Sequence, residues 1–405
     1  MASATLQFHP LTELPAPRGR RHSNQYDHET LQVRKYDFDR RTSITSLAVR
    51  QPQPEWYTQA AIAFDIDGVL LRGGTVLPEA KRALRILDGH NPYKMRIPYV
   101  FITNGGGVGE AERAKKLSKQ LGVPVSETQV VQSHTPMKGL VEKYKDELVL
   151  VVGGEGLACR KVAHDYGFKH VAVPDDIVAW NNTVWPYRKI HPEYEAAAAE
   201  NSHIKYDFMT RPIAAVLCFH DSRDWGCDMQ IVVDVLTSKG GYVGTAQDTD
   251  KPTQQVPIYF SNPDIIWSTD FPLPRYGQGA FRLALGALFK WTTGREMEYT
   301  QFGKPHAITY EYAKRAMCNH LKDHGVQLAQ APTNVYAIGD NPASDIAGAR
   351  AANWHGILVK TGIARENDPN IPAHAVLEHV EDAIKYILER EFESGSESDS
   401  SSSSF

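Results

Sequence analysis

The stretch AIAFDIDGVLLRGG, Ala61 to Gly74, decides the fold. Its first half is a short apolar run bounded by turn residues, the pattern of a strand buried on both faces in a parallel sheet. Asp65 and Asp67 stand at the carboxyl end of that run, with Gly68 directly after them. In a parallel sheet this edge is where ligands bind. Side chains two apart on a strand share a face, so both carboxylates are able to enter one crevice. Two like charges there are costly unless a cation or a substrate proton relieves them. A solvated acidic turn would also produce these residues. A calcium loop would not, because Val69 and Leu70 stand where that pattern wants an acid and a glycine.

Working outward, apolar runs predict further strands at Tyr99–Thr103, Leu148–Val152, Ala214–Phe219, Ile258–Phe260 and Val335–Gly339, beside the first at Ala60–Ile66. Helical spacing predicts helices over Glu79–Leu87, Gly109–Leu121, Arg223–Thr237, Gly279–Trp291 and Ala307–His324. Strand and helix in alternation imply an α/β protein with a mainly parallel sheet.

Three more segments carry candidate chemistry. FITNGGG places Thr103 and Asn104 at a strand end before three glycines, where a hydroxyl and exposed backbone N–H groups make a phosphate cradle. A tight strand-to-helix turn explains the same glycines. FGKPH sets Lys304 at a helix entrance, able to neutralise an oxyanion or simply to lie solvated. AIGDNPASDIAGA brings Asp340 after a strand and Asp345 one turn into the next helix. These acids either cap that helix or complete a hard-cation site with Asp65.

The order DxDG, TN, GKP, GDxxxSD resembles that of the haloacid dehalogenase-type phosphatases, in their class IIA branch with a cap domain inserted between the second and third motifs. SNPD (Ser261–Asp264), PRYGQGAF (Pro274–Phe281) and the wording of GDNPASDIAGA are similar to the cat eye syndrome critical region type of hydrolase. The resemblance spans about Ala60 to Leu388. It implies a Rossmann-like parallel core with an inserted α/β cap. Asp65 would be the nucleophile that becomes an aspartyl-phosphate, and Asp67 the general acid and base. Thr103, Asn104 and Lys304 would bind phosphoryl oxygens. Mg²⁺ would be held by Asp65, the backbone carbonyl of Asp67, and Asp340, with Asp345 in support. One departure is Gly105, where the family often has a second Asn.

The implied layout is a disordered extension 1–55, core 56–134, cap 135–270, core 271–390 and an acidic, Ser-rich disordered tail 391–405. Asn262, Asp264 and Arg275 are the candidate substrate-selecting residues. Asn262 and Asp264 are equally explained by a tight turn after Ile258–Phe260, and Arg275 by a structural role at a domain junction. The cluster His220–Asp228 is accounted for by a helix start capped by Asp221 or Ser222. Extra lengths around Trp185–Arg211 and Gly240–Gln255 read as surface loops.

Composition sets outer limits. Lys plus Arg total 44 against 48 Asp plus Glu, a formal charge of −4, which argues against a nucleic-acid or anionic-membrane binder. Apolar runs such as Leu148–Val152 fall far short of the ~20 residues that span a bilayer. Four cysteines far apart fit free, buried thiols in a reduced compartment. The Arg-rich first 41 residues raise a mitochondrial transit peptide, but acids at Glu13, Asp27, Glu29, Asp37 and Asp39 favour a cytoplasmic extension. The expectation is thus a Mg²⁺-dependent phosphatase of a small metabolite such as a sugar, glycerol or triose phosphate. A homo-oligomer formed through the cap is part of it. The alternatives are a phosphotransferase using an acceptor alcohol, or a non-catalytic interaction protein retaining the fold.

Overall fold

A computed structural model describes residues 58–187, 206–326, 332–364 and 366–392, all within one contact unit. The expected extension 1–55 lies outside the described residues, as does the tail beyond Phe392. In chain order the elements that position the site begin with β1 (Ala60–Phe64), α1 (Pro78–Leu87), β2 (Tyr99–Ile102), α2 (Glu110–Leu121) and β3 (Val130–Val131). A second group follows: β4 (Leu148–Val152), α3 (Ala158–Tyr166), β5 (His170–Ala172), β6 (Ile213–Cys218), α4 (Trp225–Thr237) and β7 (Ile258–Phe260). Then come the hairpin strands β8 (Ile266–Trp267) and β9 (Arg275–Tyr276), α5 (Gln278–Thr293) and β10 (Thr300–Gln301). The chain ends with α6 (Ala307–Asp323), β11 (Asn334–Gly339), β12 (His355–Val359), β13 (Ala375–Leu377) and α7 (Val380–Phe392).

The core sheet has the order β13-β12-β11-β1-β2-β3, with every pair parallel. This is the doubly wound arrangement whose crevice opens beside the first strand, between β1 and β11. Alternation along β1 sorts its side chains. Ile62 and Phe64 join a cluster with Leu84 of α1 and Ile384 of α7, while Ala61 and Ala63 face Tyr310 and Met317 of α6. The small alanines let α6 lie close to the sheet. Helix α1 forms because Pro78 opens it, Glu79 sits in its first turn, and Ala80, Ala83, Leu84 and Leu87 make one buried stripe. Truncating Leu84 to Ala would cost ~2–5 kcal/mol.

The second sheet, β10-β7-β6-β4-β5, is also wholly parallel. Helices cover both its faces: Cys159 and Val162 of α3 on one side, Ile231 of α4 and Phe281, Leu285 and Phe289 of α5 on the other. Strand β10 and helix α5 lie past residue 270, so this layer continues beyond the boundary expected from sequence. The reason is physical: the large apolar side chains of α5 have their burial against β4, β6 and β7 rather than in the core. Similarly, α7 runs through Glu391 and Phe392, the first two residues of the expected tail. Phe392 stacks on Tyr93 with ring centroids 4.8 Å apart, and Glu391 accepts a hydrogen bond from Tyr336. The segment Gly240–Gln255 is a largely exposed loop knit by Gln247, whose amide donates to the carbonyls of Thr237 and Thr253. Among the described residues no helix is long and apolar enough to cross a membrane.

Candidate active site

Asp65 follows β1 directly, and its N–H still donates to the Ile338 carbonyl of β11, which fixes its backbone against the neighbouring strand. Three residues on, Gly68 takes φ +95°, and a Cβ there would stand 2.4 Å from Asp340 Oδ2. Glycine is therefore what lets the loop after β1 close on the loop after β11. From the third side comes Lys304, in the loop between β10 and α6. It is 4% exposed, and its ammonium donates to Asp65 Oδ1 at 2.5 Å and to Asp345 Oδ1 at 2.6 Å. Asp345 Oδ2 in turn accepts from the backbone N–H groups of Asp340 and Asn341, which pins the turn after β11.

Asp65, Asp340 and Asp345 offer carboxylate oxygens that lie within 4.8 Å of one another, all buried. Burial pushes Asp65 well up from the usual carboxylate range, and the neighbouring acids add to this while Lys304 opposes it. Burial, then Asp345, lift Asp340 to about 7. Lys304 is held charged because Asp345 and Asp65 outweigh its own burial. One ammonium among three crowded carboxylates leaves negative charge to neutralise. An all-oxygen donor set of this kind fits a hard divalent cation such as Mg²⁺. The carboxylate of Asp67 stands apart from the group. It lines the cavity with Arg113 Nη2 3.7 Å away.

Thr103 is buried at the end of β2, and its Oγ1 accepts from the Gly105 N–H. Asn104 lines the cavity, but its amide is otherwise engaged. Oδ1 accepts from Lys304 N, while Nδ2 donates to Lys304 O and Asp264 Oδ2. It holds both backbone polar groups of Lys304 from within the cavity wall. Asn262 and Asp264 also line the cavity. Asn262 Oδ1 accepts from Asp264 N, so the local turn is real as well, and burial raises Asp264 to about 6.

Arg275 is a correction. It is exposed on β9, with Nε donating to Pro274 O and the guanidinium 4.6 Å from the Phe271 ring centroid, and it does not line the site cavity. Its apparent place beside the junction comes from chain order, whereas the hairpin carries its side chain outward. The cap of α4 is likewise neither Asp221 nor Ser222 but Asp224, which accepts from Cys227 N. That frees the residues before it, and His220, Asp221 and Arg223 line the cavity together with Arg113, Trp267 and Ser268. Sequence reasoning gave His220, Asp221 and Arg223 to a helix start and passed over Arg113, Trp267 and Ser268. The available signal was the position of His220 and Asp221 immediately after a buried strand, the same edge logic that picked out Asp65.

Comparison with known proteins places the chain in a family. A family model described as haloacid dehalogenase-like hydrolase matches residues 62–169, and a second, HAD-hydrolase-like, matches 301–383. A mitochondrial hydrolase of Saccharomyces cerevisiae is 36% identical over 82% of this chain and 96% of its own length. A cardiolipin synthase (CMP-forming)/mitochondrial hydrolase fusion protein of Schizosaccharomyces pombe is 40% identical over 81% of this chain, which spans 53% of that relative's length. Among solved structures, a possible sugar phosphatase from Cytophaga hutchinsonii matches with TM-score 0.54 at 15% identity, covering 80% of this chain and 94% of its own. A p-nitrophenyl phosphatase from Archaeoglobus fulgidus matches with TM-score 0.50 at 17% identity, covering 81% and 98%. The solved structures share the fold, and the family follows from the sequence relatives. This chain belongs to the haloacid dehalogenase-like hydrolases.

Proposed function

We propose that this chain is a Mg²⁺-dependent phosphatase of a small phosphorylated metabolite, with Asp65 as nucleophile. The observation that carries the reading is the contact of Lys304 with Asp65 inside a cavity of about 210 Å³ that also holds Asp67, Thr103 and Asp340. That volume is below the ~300–1,000 Å³ of drug-sized sites, which suits a small ester.

Phosphoryl transfer needs positioning and neutralised charge more than it needs covalent chemistry from the protein. Asp65 Oδ attacks phosphorus and the ester oxygen leaves, giving an aspartyl-phosphate and an alkoxide to which Asp67 delivers a proton. Asp67, now ionised, takes a proton from water as that water attacks phosphorus and releases Asp65. Lys304 and the Thr103 hydroxyl steady the phosphoryl oxygens. Asp65, Asp340 and the backbone of Asp67, with Asp345 behind, would hold Mg²⁺, which supplies charge neutralisation to the phosphate. We read residues from about 135 to 301 as the cap that covers this site, and the cap as the face for self-association, since α5 exposes Leu283, Leu288 and Trp291.

Both sequence relatives are named mitochondrial hydrolases, one within a fusion. We therefore favour the mitochondrion over the cytoplasmic expectation. The counterpart of this chain in the fusion is its hydrolase portion, because the alignment spans 96% of the stand-alone hydrolase. Phosphate release from a panel of phosphate monoesters by the purified chain with Mg²⁺ tests the reading, and no release from any ester rejects it. Cell fractionation tests the location.

A further inference from the structure

Helix α2 carries Arg113, Lys115, Lys116 and Lys119. The three lysines are exposed, whereas the Arg113 side chain keeps only 14% of its surface. Arg113 sits about one turn into α2, where the positive end of the helix dipole opposes a cation. Withdrawing a charge from water there is costly unless an opposite charge offsets it. Glu110, one turn earlier on the helix, is engaged elsewhere: it accepts from Tyr166 and Thr135 and pairs with Lys138 at 3.0 Å. The acid that faces Arg113 is Asp67, whose Oδ2 stands 3.7 Å from Nη2. That is close enough to attract and too far for a hydrogen bond.

The loop after β2 offers Asp67 no side chain in place of this one. Gly105 is bare where a Cβ would stand 3.5 Å from Asp67 Oδ2 and 3.2 Å from Thr103 Oγ1, so a side chain there would lie against the carboxylate. The next two positions are closed by packing. A Cβ on Gly106 would meet the His134 ring at 2.6 Å, and one on Gly107 would meet the His220 ring at 2.6 Å. The Asp67 side chain, 34% exposed, therefore has Arg113 to orient it. Both residues line the site cavity and also a second cavity of about 350 Å³ beside it, shared with Lys116, Gln120 and Phe271. Water has a way to Asp67 from that side.

Resting on the phosphatase reading above, we infer that Arg113 is a positioning residue for the second step, holding the Asp67 carboxylate toward the attacking water. In the first step Asp67 gives its proton to the departing alkoxide and becomes an anion beside the guanidinium. In the second, the water oxygen bonds to phosphorus and its proton passes to Asp67. The bond between phosphorus and Asp65 breaks, with its electron pair left on Asp65 Oδ. A base contributes only from within hydrogen-bond reach of the proton it takes, so a cation that narrows where the anion points speeds this step. A neutral carboxyl feels little of the same pull. The first step accordingly depends less on Arg113.

Rapid acid quench tests this by following the aspartyl-phosphate in wild type and Arg113→Met, with 4-nitrophenyl phosphate and Mg²⁺. Its formation should change less than about twofold and its hydrolysis should slow at least about tenfold. Trapped phosphoenzyme then accumulates, and kcat and KM fall together at nearly constant kcat/KM. Arg113→Lys, which keeps the charge, should recover part of the hydrolysis rate. Arg113→Gln gives the same readout if Arg113→Met fails to fold by circular dichroism. Equal slowing of both steps, unchanged hydrolysis, or a Lys variant no faster than the Met variant overturns this inference and leaves the phosphatase reading standing. Wild-type protein that releases phosphate from no ester overturns that reading and this inference with it.

Discussion

The Lys304 ammonium touches Asp65 Oδ1 at 2.5 Å although the two residues are 239 positions apart in the chain. The entire second sheet is threaded between them, so the contact exists only because β1 and the loop before α6 return to the same edge of the core sheet. Asn104 secures the arrangement by binding both backbone polar groups of Lys304.

Lys304 is therefore expected to matter to stability as well as to turnover. Lys304→Met leaves Asp65, Asp340 and Asp345 crowded without their ammonium. Breaking a buried pair by removing one partner costs ~3–5 kcal/mol, so the variant should lose that order of stability in EDTA and regain part of it with Mg²⁺. Urea denaturation in both conditions measures this. Equal stability of variant and wild type in EDTA would show that Lys304 does not offset the acids.

Chelation should stop turnover and Mg²⁺ restore it, with Ca²⁺ a poor substitute because its shell is larger and less regular. A readout independent of activity is thermal unfolding: Mg²⁺ should raise the Tm of the wild type and raise it less in Asp340→Asn. The same Tm rise in both proteins would remove Asp340 from the metal set.

His134 gives a pH signature. It is fully buried, stacked on Phe219 with ring centroids 5.6 Å apart, and Nδ1 lies 2.7 Å from the Tyr166 hydroxyl. That hydroxyl donates to Glu110, so His134 Nδ1–H donates to it and the ring is neutral. Burial pushes the imidazole down to about 4 from its usual 6.5. The unfolded chain then binds a proton that the folded one refuses, so stability is intact above pH 6.5 and falls as pH drops toward 4. At ~1.4 kcal/mol per unit this amounts to roughly 3 kcal/mol at most. His134→Gln should lack that component, as denaturant titrations at several pH values would reveal. Parallel pH profiles for the two proteins would contradict it.

Arg275 lines no part of the cavity and is exposed, so Arg275→Ala should change kcat/KM by less than about twofold. Its stability should stay within ~0.5 kcal/mol of wild type. A large, ester-dependent kinetic effect would return Arg275 to the site.

The contrast between Arg275 and His220 shows what was legible in the sequence. Residues fixed to strand ends by short-range geometry, such as Asp65, Thr103 and Asp340, were readable because a buried strand in a parallel sheet dictates where its next residue goes. The site around Lys304 was readable only through motif order, since nothing local tells a helix-entry lysine that its partner is 239 residues away. Arg275 was misplaced because a two-residue strand in a hairpin sends side chains to either side, and sequence does not say which faces inward. Arg113 lies within a helix otherwise rich in solvated charge, so only the packing of α2 against the cap distinguishes it from Lys115 or Lys119. That α5 packs on the second sheet was not legible, because an apolar helix looks alike whichever sheet it covers.

The most direct test is covalent. Wild-type protein incubated with a hydrolysable phosphate ester and Mg²⁺, quenched in acid and digested, should yield a peptide bearing one phosphoryl group at Asp65 by mass spectrometry. Asp65→Asn, folded by circular dichroism, should yield none and release no phosphate. Sustained phosphate release by Asp65→Asn, or a phosphoryl group found on another residue, would contradict Asp65 as the nucleophile.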